Sequence, residues 1–250
     1  MARNPGEYFA EKLTSRARWP DFHIEAETLR QRIADLGPFN ISDALRAFYH
    51  LYAERFEKPR WGNKTTKNIS HMSFIFKLLP EARFIHIIRD GRDVALSVSK
   101  QYFGPYSIRE AAEWWVSKIK EARRQIDDLE YYMEIRYEDL VLHTEAVLKE
   151  VCRFIELSWN PVMLDYYKTS EARLNELHDL VDRDGKSLKG ENRRGKHSLT
   201  SKPPQSDRIG SWKKEMTESD KEWFEKVAGT LLESLGYEVN AKQTARVACV

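Results

Sequence analysis

The residue best placed for anion chemistry is Arg89, in a turn that follows a run of strand-forming residues and also carries Arg92. Arg83-Phe84-Ile85-His86-Ile87-Ile88 is β-branched and aromatic, and Arg89-Asp90-Gly91-Arg92-Asp93 follows it directly. An arginine at the carboxyl end of a parallel strand, just before a helix, meets free backbone N–H groups and the positive end of a helix dipole. That combination binds anions. The competing reading is that Arg89 and Arg92 pair with Asp90 and Asp93 on a solvated turn. Lys64, after Gly62 and Asn63, is a second cation outside any periodic element, and taken alone it reads as a solvated loop lysine. Metal chemistry finds no support in the pattern: the seven histidines are scattered, and Cys152 and Cys249 form neither a ligand cluster nor a disulfide framework. Gly190 to Lys196 fits Gly-x-x-x-x-Gly-Lys, but His197 replaces the Ser/Thr and no apolar strand precedes it. "SLTSKPP" after it cannot open a helix, so this stretch belongs to a basic loop and not to a triphosphate site.

The elements around these residues read as alternating strands and helices, the pattern of an α/β fold with parallel strands. Leu45, Phe48 and Tyr52 give a helix over 42–56, and 68–79 reads as a second helix stopped by Pro80. A strand over 83–88 leads through the 89–93 turn into a helix starting near Val94. Ser107 and Glu110 form a capping box for a long helix whose face runs through Trp115, Ile119 and Ala122 to Leu129. Residues 133–137 are predicted to be a strand, Thr144 to cap a helix running to about residue 156, and Thr217 with Asp220 to start a last helix ended by Gly236. Residues 182–214 lose periodicity and carry ten basic against four acidic side chains. One domain is expected over 1–239, with 240–250 as a tail.

Four blocks in order resemble the sulfotransferases that use 3′-phosphoadenosine 5′-phosphosulfate, of the bacterial and tyrosylprotein-like type. "PEARFIHIIRDGRDVALS" resembles their 3′-phosphate-binding strand, turn and helix, which implies that Arg89 and Ser97 hold the 3′-phosphate. "IRYEDL" resembles the strand end whose Tyr lies by the adenine, here Tyr137; the alternative is a strand tyrosine with its hydroxyl at the surface. "RIGSWKKEMT" resembles the C-terminal block that closes over the cofactor, implicating Arg208, Gly210 and Trp212. Trp212 either stacks on the adenine or plugs the core, and Arg208 is otherwise one more charge of the basic loop. "RWGNKTT" resembles the Asn/Asp-Lys-Thr-Pro segment and makes Lys64 the implied catalytic lysine, with Thr66 where many members have Pro. Glu7 resembles a glutamate that some relatives use as acceptor base, against the plainer reading of a surface carboxylate; His71 is a poorer base candidate.

The resemblance implies a P-loop-NTPase-like three-layer fold with a central parallel sheet flanked by helices. It implies 3′-phosphoadenosine 5′-phosphosulfate as donor without a metal, and a small-molecule, carbohydrate or peptide acceptor. The family's Gly-x-x-Arg-Ser-Gly-Thr-Thr loop has no counterpart, since Gly6 and Gly37 are the only glycines before Gly62 and neither follows an apolar strand. A strand-loop-helix unit of roughly 30–40 residues is therefore expected to be missing upstream of Pro5. Two other readings stay open: an inactive protein that binds only the 3′-phosphoadenosine moiety, and a nucleic-acid binder using 182–214. Overall charge argues against the second, because 41 Lys+Arg face 39 Asp+Glu for a net +2. No stretch reaches the roughly 20 apolar residues of a membrane span, no secretion signal opens the chain, and a cytoplasmic location is expected.

Overall fold

The computed structural model describes residues 4–99, 105–181, 187–195 and 197–240. In chain order the elements are α1 (Pro5–Thr14), α2 (Ala26–Ala34), α3 (Ile41–Glu54), α4 (Met72–Leu78), β1 (Phe84–Ile88), α5 (Gly91–Val98), α6 (Ile108–Arg123) and β2 (Tyr132–Arg136). They continue with α7 (Tyr137–Leu142), α8 (Thr144–Phe154), α9 (Tyr166–Leu174), β3 (Leu180–Val181), β4 (Ser187–Leu188), α10 (Gly190–Gly195), α11 (Trp212–Glu215) and α12 (Glu218–Ser234). The chain divides into two compact units, Met1–Thr65 with Asn160–Pro203, and Thr66–Trp159 with Pro204–Val250.

In the first unit α1, α2 and α3 bury Ala10, Leu29, Ile33, Phe48 and Leu51 against one another. Phe48 sits in the buried face of α3 as its spacing predicts, but Ala44, Ala47 and Leu51 flank it there, while Leu45 and Tyr52 lie half-buried. The basic stretch expected to be aperiodic carries short elements instead: β3 pairs antiparallel with β4, and α10 follows. Their anchor is an ion pair across 172 positions. Arg193 donates from both Nη atoms to Asp21, at 2.9 and 2.6 Å. Burial acts against the Asp21 charge, yet hydrogen bonds from Arg193 and from the His178 N–H hold its carboxyl below the usual range. A half-buried fork–carboxylate pair of this kind fixes a segment that has few apolar residues of its own.

The second unit holds the parallel sheet. β1 and β2 run side by side in register from Phe84↔Tyr132 to Ile88↔Arg136, so the described residues form a two-stranded parallel sheet within a mixed α/β fold. One face carries His86, whose Nδ1 lies 2.7 Å from the Tyr132 hydroxyl; that hydroxyl donates to Glu134 at 2.8 Å, and Arg123 of α6 grips both Glu134 oxygens. Burial holds the His86 imidazole below its ordinary pKa, outweighing the Glu134 charge, and a neutral ring donating from Nδ1 completes the chain. On the opposite face Ile85 and Ile87 remain 37% and 50% exposed.

Helices α5, α6 and α12 enclose the core of this unit around Ile88, Trp115, Ile119, Phe224 and Leu232. Helix α5 starts at Gly91, three residues earlier than the sequence suggests, because Asp90 is its N-cap and accepts the Arg92 N–H at 2.9 Å. A glycine is needed there: a Cβ on Gly91 would lie 2.5 Å from the Trp115 ring and 2.7 Å from Phe224. The Ser107 hydroxyl accepts the Glu110 N–H, and Glu110 reaches back to the Tyr106 N–H, so the expected cap forms one residue displaced on its return arm. α6 stops at Arg123, and Ile126 lies in a separate 3₁₀ turn (Ile126–Asp128) with Leu129 just after it. The helix expected over 68–79 is broken into a 3₁₀ turn, Thr66–Ser70, and α4. Gln125 holds the break open, accepting the Ser73 N–H and donating to the Ile69 carbonyl. The strand expected over 133–137 runs from Tyr132 to Arg136, and Tyr137 opens α7. Thr144 is the first residue of α8, and its hydroxyl donates back to the Val141 carbonyl instead of capping. Thr217 caps α12 through the Asp220 N–H at 3.1 Å, and Gly236 follows with φ +76°. Of the expected tail, 241–250 lies outside the described residues.

Candidate functional site

The carboxyl end of the parallel sheet gathers three chain segments: the β1–α5 turn, the β2–α7 junction and residues 208–212. Arg89 leaves β1 with its backbone carbonyl accepting the Trp115 indole N–H at 3.2 Å, which fixes where its side chain starts. Its Nη2 donates to the Arg208 carbonyl at 2.5 Å and lies 3.4 Å from Asp93 Oδ2, and its guanidinium lies 4.8 Å from the Tyr137 ring centroid. Its Nε is buried and has no hydrogen-bond partner among the described residues. A buried charged donor without an acceptor is costly; the Nε of Arg136, at the carboxyl end of β2, is in the same state, and an anion oxygen is a partner that would remove the cost. The residues present therefore fit a phosphate group.

Asp93 ties the C-terminal block to this turn. It is fully buried and accepts the Gly210 N–H at 2.9 Å and the Trp212 N–H at 3.0 Å. Gly210 has φ +71°, a conformation that suits glycine and lets the segment bend onto the carboxylate. Trp212 is buried in the core, with the Arg92 guanidinium 3.5 Å above its ring, so this face of the indole is occupied from within. Arg92 is itself fully buried, gripped by Asp90 at 2.8 Å and Glu225 at 3.1 Å. Glu138, just after Tyr137, accepts the Asp90 N–H at 3.0 Å and the Tyr237 hydroxyl at 2.9 Å. Burial, with the Glu138 charge beside it, raises the Tyr237 phenol well above its ordinary value.

Of the sequence-predicted residues, Arg89, Tyr137, Arg208 and Gly210 come together here. Ser97 is exposed in the last turn of α5, and Arg208 is exposed with only its carbonyl engaged by Arg89. Arg89 and Arg92 do pair with Asp93 and Asp90, as the competing reading expects, but in a buried turn and not a solvated one; Glu138, Glu225 and Tyr237 are not singled out by the sequence. The signal for Asp93 was its spacing of four from Arg89, and Glu225 and Tyr237 had none, since their partners lie far along the chain.

Lys64 and Glu7 belong to the first unit. Lys64 is exposed just after Trp61 and Asn63, both anchored on Tyr49 of α3: the Trp61 ring stacks at 4.0 Å, and the Asn63 amide donates to the Tyr49 hydroxyl at 3.1 Å. Burial raises that phenol above its ordinary value, against the Asn63 hydrogen bond. Glu7 lies exposed in the first turn of α1, at the rim of a cavity of about 870 Å³ that Arg30, Ile33 and Phe39 also line. Among the described residues no group of His, Cys, Asp or Glu side chains is arranged to hold a metal ion, and no helix is long and apolar enough to cross a membrane. Within the basic stretch, Lys189 pairs with Asp179, Arg193 with Asp21 and Lys213 with Glu238.

Comparison with known proteins places these features in a family. The model of the sulfotransferase family matches residues 4–161, more than half of the chain. A protein-tyrosine sulfotransferase of Drosophila melanogaster is 28% identical over 163 residues, 62% of this chain and 32% of its own length. Protein-tyrosine sulfotransferase A of Caenorhabditis elegans is 24% identical over 238 residues, 92% of this chain and 58% of its own. The chain thus spans about a third of the first relative and under two thirds of the second. Among solved structures, the sulfotransferase domain from the curacin biosynthetic pathway superposes with a TM-score of 0.57 at 18% identity, covering 92% of this chain and 80% of that one. That likeness is one of fold.

Proposed function

The chain belongs to the sulfotransferase family, and from that premise we propose that it transfers a sulfuryl group from 3′-phosphoadenosine 5′-phosphosulfate to a hydroxyl or amine acceptor. The observation that supports this donor is the buried Nε of Arg89 at the carboxyl end of the parallel sheet, which has no partner among the described residues. Arg89 and Ser97 would hold the 3′-phosphate, Tyr137 would lie by the adenine, and Arg208 and Gly210 would line the segment that closes over it. Trp212 supports that segment from the core.

The bound donor supplies the sulfuryl group. By analogy with phosphoryl transfer the transition state is loose and in line, so positioned charge does most of the work. Lys64 neutralises the charge that grows on the bridging oxygen, and Glu7 takes the acceptor proton. No metal is part of the proposal. Two relatives are named for protein tyrosine, which puts a phenolic hydroxyl first among acceptors to assay.

The experiment is calorimetric titration with 3′-phosphoadenosine 5′-phosphate. Arg89→Ala is expected to weaken binding by about 2 kcal/mol, roughly thirtyfold, for the loss of one charge-assisted phosphate contact. Equal affinity of variant and parent would remove Arg89 from the site.

A further inference from the structure

We infer that Asp93 is a positioning residue of the donor site, holding Arg89 and the closing segment in the arrangement that receives the 3′-phosphate; this rests on the donor reading above. The geometry is a closed ring. Arg89 Nη2 faces Asp93 Oδ2 at 3.4 Å and donates to the Arg208 carbonyl at 2.5 Å, while the same Asp93 oxygen accepts the Gly210 N–H at 2.9 Å. The second Asp93 oxygen accepts the Trp212 N–H. One carboxylate therefore fixes the arginine at the end of β1 and two amides of a segment more than a hundred residues later.

Burial makes this hold rigid. Asp93 has no solvent exposure, so its charge depends on these partners and has no water to turn to. Arg89 commits Nη2 to the protein and keeps Nε without an acceptor. This division of one guanidinium follows from the Arg208 carbonyl, which takes the Nη2 hydrogen bond, together with the Asp93 charge beside the same nitrogen, and it leaves Nε as the donor for the anion. Without the Asp93 charge, Arg89 keeps the Arg208 carbonyl but loses its ion-pair partner, and an amide in place of the carboxylate can accept only one of the Gly210 and Trp212 N–H groups.

The test is a double-mutant cycle read by calorimetric titration of the full chain with 3′-phosphoadenosine 5′-phosphate, with thermal melting as the check on folding. Asp93→Asn keeps the shape and removes the charge, and it is expected to weaken binding about tenfold or more. In an Arg89→Ala background the same substitution is expected to weaken binding by a factor at least about threefold smaller than in the parent, because the part of its effect that runs through Arg89 is already gone and only the hold on residues 208–212 remains. A residue that merely held the fold would lower affinity by the same factor in both backgrounds, and that additive result would overturn the proposal, as would an Asp93→Asn affinity within about threefold of the parent. Should Asp93→Asn fail to fold, Arg89→Lys decides: it keeps the charge but lacks the fork that reaches Asp93 and the anion together. Weakening by about tenfold or more supports the proposal, and retention within about threefold contradicts it. A parent protein that binds the bisphosphate no better than 5′-AMP would instead reject the donor reading itself.

Discussion

Arg92→Ala is expected to lower the unfolding free energy by about 4 kcal/mol, because breaking a buried ion pair leaves uncompensated charge in the core. For a chain of this length that is a fall in melting temperature of roughly 8–16 °C. Arg92 has no solvent exposure, its partners Asp90 and Glu225 are 8% and 3% exposed, and its guanidinium covers the Trp212 ring. Removing it leaves two carboxylates near one cavity and takes from the Trp212 ring the nearer of its two cations. The damage reaches the site, since Asp90 caps α5 and Trp212 closes onto Asp93. Urea unfolding followed by tryptophan fluorescence measures the loss. A change below about 1 kcal/mol would mean that water or a rearranged side chain satisfies Asp90 and Glu225, and that the network is not what fixes the turn.

The second large effect is catalytic. Lys64→Ala is expected to lower kcat by about 10²–10³-fold, the usual cost of removing one positioned donor from developing charge. Affinity for 3′-phosphoadenosine 5′-phosphate should stay within about threefold, since the proposal assigns Lys64 to the transferring group and not to the 3′-phosphate. Lys64 itself is exposed, on a short segment whose Trp61 and Asn63 both lean on Tyr49 of α3. Initial rates with a phenolic acceptor, followed as release of the bisphosphate, give the number. A kcat within about threefold of the parent would leave Lys64 as a surface charge.

Local signals made much of this legible. The Ser107/Glu110 cap, the Thr217/Asp220 cap and the β1 run act within a few residues, so a short window contains their cause. Asp90 shows where a local signal was present and misjudged: the acid before Gly91 reads as turn charge, yet it is the N-cap that starts α5. Other features have distant causes. Gln125 breaks the 66–78 helix by taking backbone partners on both sides of the gap, from more than 50 residues away. Arg193 anchors the basic stretch on Asp21, so side chains that count as net charge in sequence are partly spent on folding. In the candidate site the strand-end arginine proposed to meet the anion is readable, because it is defined by its neighbours in sequence. The carboxylate proposed to orient it is not, since Asp93 is recognisable only when residues 210 and 212 are brought to it.

The central claim is that Arg89, aimed by its surroundings, receives a 3′-phosphate. Its most direct test is calorimetric titration of the unaltered chain with 3′-phosphoadenosine 5′-phosphate and, separately, with 5′-AMP, which lacks only that phosphate. The predicted result is binding of the bisphosphate at least about tenfold tighter than of AMP, the worth of one charge-assisted contact. Equal affinities, or binding of neither, would contradict the assignment of the β1–α5 turn as the donor site.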